Sequence, residues 1–472
     1  MSENTFKPVL GLRDATMIVA GSMIGSGIFI VSANIVQNVG SAGWLIAVWV
    51  LTGFMTITAA VSYGELSGMF PKAGGQYVYL KEAYNPLVAF LYGWSFFAII
   101  QTPTIAAVAV AFSKFTAYLI PAVSEDDAFF EWRFIRIAPA QLLAIVTIII
   151  LTYINTRGVE NGKFVQTTLT TIKLISLFGL IACGLFMVDK DVWDANWTNA
   201  WDLHNLSQDG ITELGTLAAF GAIAAAMVGS IFSSDAWNNV TFIAGEIKNP
   251  QRNIGLSLFL GTLVVTFIYV TANVMYTAVL PLSGIAFAEK ERVAVAASTA
   301  IFGDVGTIII AIMIMISTFA CNNGLILAGA RVYYTMAKDR LFFRQAGTLN
   351  RFSVPQRALW VQCVLASFWC LSGTYGKLLD MISFGVVIFY MLTIYGIFIL
   401  RKKRPDAPRP YKAFGYPVLP ILYLVMGATF CIFLISYKPD YALAGACIIL
   451  AGIPIYYYAL RQSKTAGTDP EN

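Results

Sequence analysis

Gly21-Ser22-Met23-Ile24-Gly25-Ser26-Gly27 lies inside the first hydrophobic run of the chain, which extends from about Leu12 to Val39. A run of that length can cross a bilayer, since about 20 apolar residues suffice. Three glycines and two serines within seven residues interrupt it, because glycine is a poor helix former and exposes backbone polar groups. In hydrocarbon those groups must be satisfied inside the protein, so the break faces protein or a water-filled cavity. A new half-helix starts after the break. Its unpaired N–H groups and positive dipole end attract an anion such as a carboxylate. The competing reading is a glycine face for close helix packing, which the i, i+4 pair Gly21 and Gly25 would suit. This stretch alone leaves the two readings even.

The composition sets the environment. The chain has 472 residues, 58% hydrophobic and only 12% charged, with a mean hydropathy of +0.70. Soluble proteins carry about 25% charged residues, so this is an integral membrane protein. The six cysteines, Cys183, Cys321, Cys363, Cys370, Cys431 and Cys447, lie in or near apolar runs and form no CxxC. They read as small buried hydrophobes, not as a metal site or disulfide frame. The single histidine, His204, sits in a polar loop, which argues against a histidine metal centre or a His-based catalytic dyad. No cofactor is expected. The first apolar run is too long for a cleavable signal peptide and follows only a short polar tail.

Runs long enough to span recur about twelve times, near 12–39, 42–69, 86–120, 138–156, 164–188, 213–245, 253–281, 305–336, 356–373, 378–400, 417–437 and 440–460. Twelve spans put both termini on one side. With the N-terminus inside, 22 of the 31 Lys and Arg fall on inner segments and 7 on outer ones, while Lys114 and Lys173 fall within spans. That asymmetry predicts cytoplasmic termini. The basic cluster Arg401-Lys402-Lys403-Arg404 reads as a stop-transfer anchor and not as a nucleic-acid patch. The expected organisation is a cytoplasmic tail (1–11), a ten-helix core (12–400), a basic cytoplasmic loop (401–416), two further spans (417–461) and a second cytoplasmic tail (462–472).

Run six holds a second break, Gly229-Ser230-Ile231-Phe232-Ser233-Ser234-Asp235-Ala236-Trp237-Asn238-Asn239. Runs one and six are five spans apart. Paired interruptions at matching places in two halves point to a transporter binding site at the midplane of an inverted repeat. The pairing lifts the ligand-site reading of the first break well above the packing reading. No strong residue-level similarity links the halves, so the repeat is inferred from the breaks.

Three stretches carry a resemblance: IVAGSMIGSGIF at 18–29, SYGELSGMFPKAGGQYVYLKEAYNP at 62–86, and FSSDAWNNVTFIAGEIKNPQRN at 232–253. In this order and at these spans they resemble the amino acid–polyamine–organocation superfamily, and within it the L-type amino-acid transporters and their bacterial relatives. The resemblance covers about 12–400. It implies an all-α membrane protein with a LeuT-like five-plus-five inverted repeat, two extra C-terminal helices, and helices 1 and 6 interrupted. It implies that the α-carboxylate of an amino acid meets Gly25, Ser26 and Gly27, and that its α-ammonium meets carbonyls of Met23, Phe232 and Ser233, with Ile24 part of the same site. Phe232 would close over the substrate as an outer gate; the plain alternative is a lipid-facing aromatic. A lysine such as Lys173 fills, in similar transporters, the place where sodium-coupled relatives bind a cation. It would contact carbonyls near Gly21 and hydroxyls of run eight, Ser317 and Thr318 being the candidates.

Residue chemistry adds to this. Lys173 lies about ten residues into run five, about 15 Å deep at 1.5 Å per residue. Intramembrane charges are costly and functional by default, although a lysine can also snorkel to the interface. A buried lysine can titrate near neutrality, so proton coupling and a permanently charged structural cation both fit, while its place in the similar transporters argues against sodium dependence. Asp235 has three readings: a cap for the second half of run six, a contact for a cationic side chain, or a proton acceptor. Asn238 and Gln101 can hydrogen-bond substrate or neighbouring helices, with helix bonding favoured. Glu65 is placed at the inner gate and Lys114 as snorkelling outward.

The expectation is therefore a secondary active transporter of L-α-amino acids in a plasma membrane of bacterial type, with neutral substrates favoured, working as an exchanger or a proton symporter. The alternative is a cationic amino-acid or polyamine carrier using Asp235. A membrane enzyme would need catalytic groups at depth, and no HExxH, GxSxG or cluster of intramembrane carboxylates is present. A receptor would not need two matched breaks. The heteromeric animal transporters bond a glycoprotein subunit through a cysteine after span three. Loop 121–137 has none, so no disulfide-linked subunit is expected.

Overall fold

The computed structural model describes residues 6–132, 135–372, 375–437 and 439–466. Of the charges counted for topology, Arg133 and Lys438 lie outside these, as do the ends of both tails. Among the described residues ten helices are long and apolar enough to cross a membrane. Leu12–Ile30 and Ser32–Val39, bent by 55°, make an eleventh when counted as one span. The ninth of the twelve runs forms Gln356–Cys370, 15 residues long and shorter than the full spans. The fold is all-helical within the membrane. Two short antiparallel hairpins, Phe130–Trp132 with Ile135–Ile137 and His204–Ser207 with Gly210–Glu213, fold stretches that read as polar loops in the sequence.

Local chemistry sets the helix ends. Asn85 caps Pro86–Ser95 through its side chain, which accepts from Val88 N–H at 3.0 Å, with proline at the first helical position. Gly40 ends Ser32–Val39 in the left-handed region at φ 71°, where glycine carries no Cβ penalty. The outer faces are apolar and exposed: Val146 and Ile150 on one span, Leu263 and Phe267 on another, Ile308 and Ile312 on a third. Exposed aliphatic belts on long helices are lipid-facing surface.

The interior is built on close backbone approach. Ala42–Met69 packs along Pro250–Val279, where a Cβ at Gly255 would lie 3.4 Å from Gly64 Cα. The interrupted first span lies beside this pair, and a Cβ on Gly261 would sit 2.4 Å from Val19. Small residues of this kind let membrane helices meet at their backbones.

Ion pairs lie at both ends. On the face carrying the N-terminus, Arg331 and Glu246 are buried to 0% and 1% side-chain exposure and pair at 2.9 Å. Val9 and Leu10 N–H donate to Glu246 O, both at 2.9 Å. Glu65 accepts from Arg401 Nε and Nη2 at 2.9 and 2.6 Å, and Arg409 lies at 3.3 Å. A buried pair broken on one side costs about 3–5 kcal/mol, so the Arg331–Glu246 pair firmly ties the two segments that it joins. On the opposite face Lys114 pairs with Glu125 and Lys290 with Asp126. The Lys290 ammonium, by hydrogen bond and by charge, holds the Asp126 carboxyl below its usual range.

Candidate functional site

The first span is helical over Leu12–Met23, breaks at Ile24-Gly25-Ser26, and restarts at Gly27–Ile30. The break is held by side chains from two other helices, each reaching a backbone carbonyl that the helix has released. Lys173 Nζ donates to Gly21 O and to Ile24 O, both at 2.7 Å. Ser317 Oγ donates to Ile24 O at 3.1 Å, with Gly25 O at 3.3 Å. Cys321 Sγ lies 3.0 Å from Ser22 O. Lys173 is 1% exposed, so its charge rests on two carbonyl dipoles in place of water. It does not snorkel. Thr318, one residue from Ser317, turns away and bonds its own helix at Ile314 O, 2.7 Å. Ser317 meets the break through Ile24 O, the carbonyl it shares with Lys173.

The three glycines have different jobs. Gly21 packs: a Cβ there would sit 2.1 Å from Gln166 Nε2 and 2.4 Å from Thr170 Oγ1. Gly25 has more room, its nearest neighbour being Cys321 Sγ at 3.1 Å. Its N–H donates to Met23 O at 2.9 Å, so of the expected carboxylate donors this one is turned inward. At Gly27 a Cβ would fall 2.0 Å from Ser233 Oγ. The restarting helix, which by its nature presents unpaired N–H groups at its first turn, therefore rests directly on the second break.

The second break follows Thr216–Ser233. Ala236 takes φ 63°, a left-handed conformation that a non-glycine residue holds only when its surroundings impose it. Asn239–Phe242 then restarts the helix for one turn. Asp235 Oδ1 accepts from Tyr390 OH at 2.5 Å. Asn238 Nδ2 donates to Gln76 Oε1 at 2.8 Å, and Gln76 Nε2 to Thr393 Oγ1 at 3.0 Å. Asn238 and Gln76 thus tie the break to the loop helix Gln76–Ala83 and to Tyr375–Lys403. Trp237 packs against Tyr63 and Tyr390, with ring centroids 4.7 and 5.0 Å away. Phe232 is buried at 8% exposure and does not face lipid.

One side chain spans both breaks. Tyr269, on Pro250–Val279, has its hydroxyl 3.0 Å from Met23 O and 2.9 Å from Ser233 O. A hydroxyl has a single proton to donate, so it serves one carbonyl at a time. Phe232 O, the third expected ammonium contact, accepts from Asp235 N–H at 3.2 Å. Two narrow cavities flank Asp235. Tyr92, Gln101 and Phe389 line one; Thr56, Ser234 and Tyr423 line the other; Tyr390 borders both. Gln101 ends a π-helical turn, Phe96–Gln101, and donates to Leu325 O at 2.8 Å. Such turns occur frequently at functional sites.

Sequence reasoning missed Tyr269, Tyr390, Cys321 and Gln76. Nothing in a lone tyrosine or cysteine within an apolar run says which helix face it occupies. Gln76 had a faint signal, a polar residue directly after a glycine pair at the foot of a span.

Two interrupted helices that meet at their breaks, inside a bundle of long apolar helices, have the architecture of a membrane transporter. The chain belongs to the amino acid permease family, which matches residues 10–457. It is an amino acid transporter of the amino acid–polyamine–organocation superfamily, and not an enzyme. It is 30% identical over 465 residues to the serine/threonine exchanger SteT of Bacillus subtilis, covering 96% of this chain and 97% of that one. It is 29% identical over 457 residues to the human large neutral amino acids transporter small subunit 2, covering 96% and 80%. With the human b(0,+)-type amino acid transporter 1 it shares 27% over 458 residues, covering 95% and 87%.

Proposed function

We propose that this permease carries L-α-amino acids, chiefly neutral ones, by alternating access around the two breaks. The observation that carries the reading is the convergence at Tyr269: carbonyls of both interrupted helices lie within hydrogen-bond reach of one hydroxyl, where the helix restarting at Gly27 packs against Ser233. A carboxylate at the Gly27 helix start, with Ser26 and the turn at Gly25, and an ammonium at the Met23 and Ser233 carbonyls would each meet the dipole end that favours it. Tyr269 would release one carbonyl as the ammonium arrives. The names of the serine/threonine exchanger and of the large neutral amino acids transporter subunit favour small and neutral substrates.

In this reading Lys173 is the fixed cation that holds the first break open and removes any need for sodium. Phe232 closes over the bound substrate. Asp235 and Asn238 border the side-chain end of the site. The termini face the cytoplasm, the membrane is the plasma membrane of a bacterium, and the permease acts without a disulfide-linked subunit. A second reading, transport of cationic amino acids or polyamines, is favoured by one observation: a carboxylate, Asp235, borders both cavities.

The test is uptake of labelled amino acids into proteoliposomes, with and without internal unlabelled amino acid and an inward proton gradient. Uptake that requires internal substrate makes the protein an exchanger. Concentrative uptake into empty vesicles makes it a proton symporter. Uptake of cationic amino acids alone would replace the neutral reading with the second one. No uptake of any amino acid under any gradient would overturn the assignment.

A further inference from the structure

Away from the breaks, on the face that carries the N-terminus, a cavity of about 480 Å³ opens between the end of Pro139–Thr156 and the start of Gln356–Cys370. Arg157 and Arg351 line it, with Tyr153, Trp360, Asn350 and Gln356. Its floor is built and held. Asn350 Nδ2 donates to Thr156 O at 2.8 Å and to Gln356 Oε1 at 3.1 Å, while its Oδ1 accepts from Phe352 N–H at 2.9 Å. Arg157 lies 4.7 Å over the Tyr153 ring and donates to that residue's hydroxyl. Arg351 lies 4.8 Å over Phe352 and pairs with no carboxylate among the described residues. The helix that starts at Gln356 has no side-chain cap, so its positive end adds to the two guanidinium groups.

The walls grade from charged to apolar along two helical rows. On one helix the row runs Arg157, Tyr153, Ile150, Val146; on the other, Gln356, Trp360, Val364, Phe368. The apolar members are exposed, Ile150 by 47%, Val364 by 70% and Phe368 by 59%. Spacings of three and four residues keep each row on one helix face. Aromatic rings between a charged end and an aliphatic stretch mark the membrane interface. Basic pockets between helices at that level suit anionic headgroups, and arginine matches phosphate oxygens in bidentate fashion.

We propose that this cavity binds an anionic phospholipid, its phosphate between Arg157 and Arg351 and one acyl chain along Ile150 and Val364. The site bears on transport through its position. Arg157 immediately precedes Gly158, whose φ of 126° turns the chain into Val159–Phe186, the helix that carries Lys173. A headgroup that fixes this corner also fixes the start of that helix.

The experiment is native mass spectrometry of the delipidated full-length protein with phosphatidylglycerol or with phosphatidylcholine of the same chains, and with inorganic phosphate as competitor. The expected result is preferential retention of phosphatidylglycerol, reduced at least about fivefold in R157A/R351A, which removes both phosphate forks, and unchanged in K72A/R340A, which removes two exposed charges on the same face. If the double variant fails to fold, Arg351→Glu alone, at an exposed position, must also lose the preference. Equal retention of the two lipids by wild type, or undiminished phosphatidylglycerol on R157A/R351A or on Arg351→Glu, would overturn the proposal. Displacement of the lipid by millimolar phosphate would show a free phosphate to be the ligand and would equally overturn it.

Discussion

The two interruptions are made of different material. In the first, residues 21–27 contribute mostly backbone. Lys173, Ser317 and Tyr269 reach in from other helices to satisfy its carbonyls. In the second, residues 233–239 contribute side chains of their own: Asp235 to Tyr390, Asn238 to Gln76, Trp237 into an aromatic cluster. Backbone groups at a helix start or end are the same whatever the sequence, so they suit the carboxylate and ammonium that all α-amino acids share. Side chains suit whatever differs. On the proposed function the first break reads the constant part of the substrate and the second reads the variable part.

Removing Lys173 tests this division hardest. Lys173→Ala leaves Gly21 O without its donor and Ile24 O with only Ser317. With about 1–3 kcal/mol for a buried group left unsatisfied, uptake into proteoliposomes should fall by about 10- to 100-fold for every substrate alike. Wild-type uptake would make the lysine a bystander. Next comes the contact between the breaks. Gly27→Ala pushes a methyl to 2.0 Å from Ser233 Oγ, and overpacking of about 1–3 kcal/mol predicts an uptake loss of about 10-fold or more. Adding Ser233→Gly should restore part of it; no recovery would show that the loss does not arise at that contact.

Tyr269→Phe removes one hydroxyl shared by two carbonyls and should cost about 5–10-fold in uptake, again without regard to the substrate side chain. A change confined to some substrates would move Tyr269 to the variable half of the site. Asp235→Asn should be milder for neutral amino acids, within about threefold, since Tyr390 keeps an oxygen to bond. The smallest effect belongs to the outer face. Asp126 titrates below its usual range because of Lys290, so their link is complete above the ordinary carboxylate range and is lost as pH falls through the lowered value. Lys290→Ala should abolish only that acid-side change, read as protease sensitivity of loop 121–137, and high salt should mimic it.

The fold was legible because its signals are compositional. Length, hydropathy and two clusters of glycine, serine and asparagine inside apolar runs say where helices cross and where they cannot continue. The breaks fall at Ile24–Ser26 and after Ser233, inside the stretches that the sequence marks. The partners of the breaks were less legible. Ser317 and Thr318 are chemically alike and adjacent, but one residue is about 100° of helix rotation, and only packing shows that Ser317 faces the break. Tyr269 and Tyr390 sit in runs with no periodic mark around them. The stretch 21–27 poses the packing and ligand readings as alternatives; the structure packs Gly21 on Gln166 and Gly27 against the second break, so close packing accounts for these two glycines. The ninth run was read as a full span because its hydropathy extends to 373, whereas its helix begins at Gln356 and ends at Cys370.

The measurement that tests the central claim most directly is a competition profile: displacement of one labelled amino acid by a panel of small, large, polar and cationic amino acids, on wild type, Gly25→Ala and Asp235→Asn. Gly25→Ala brings a methyl to 3.1 Å from Cys321 Sγ and should weaken every member of the panel by the same factor, leaving their order unchanged. Asp235→Asn should reorder the panel, with cationic members moving most. A reordering by Gly25→Ala, or a uniform shift by Asp235→Asn, would contradict the division of labour between the two breaks.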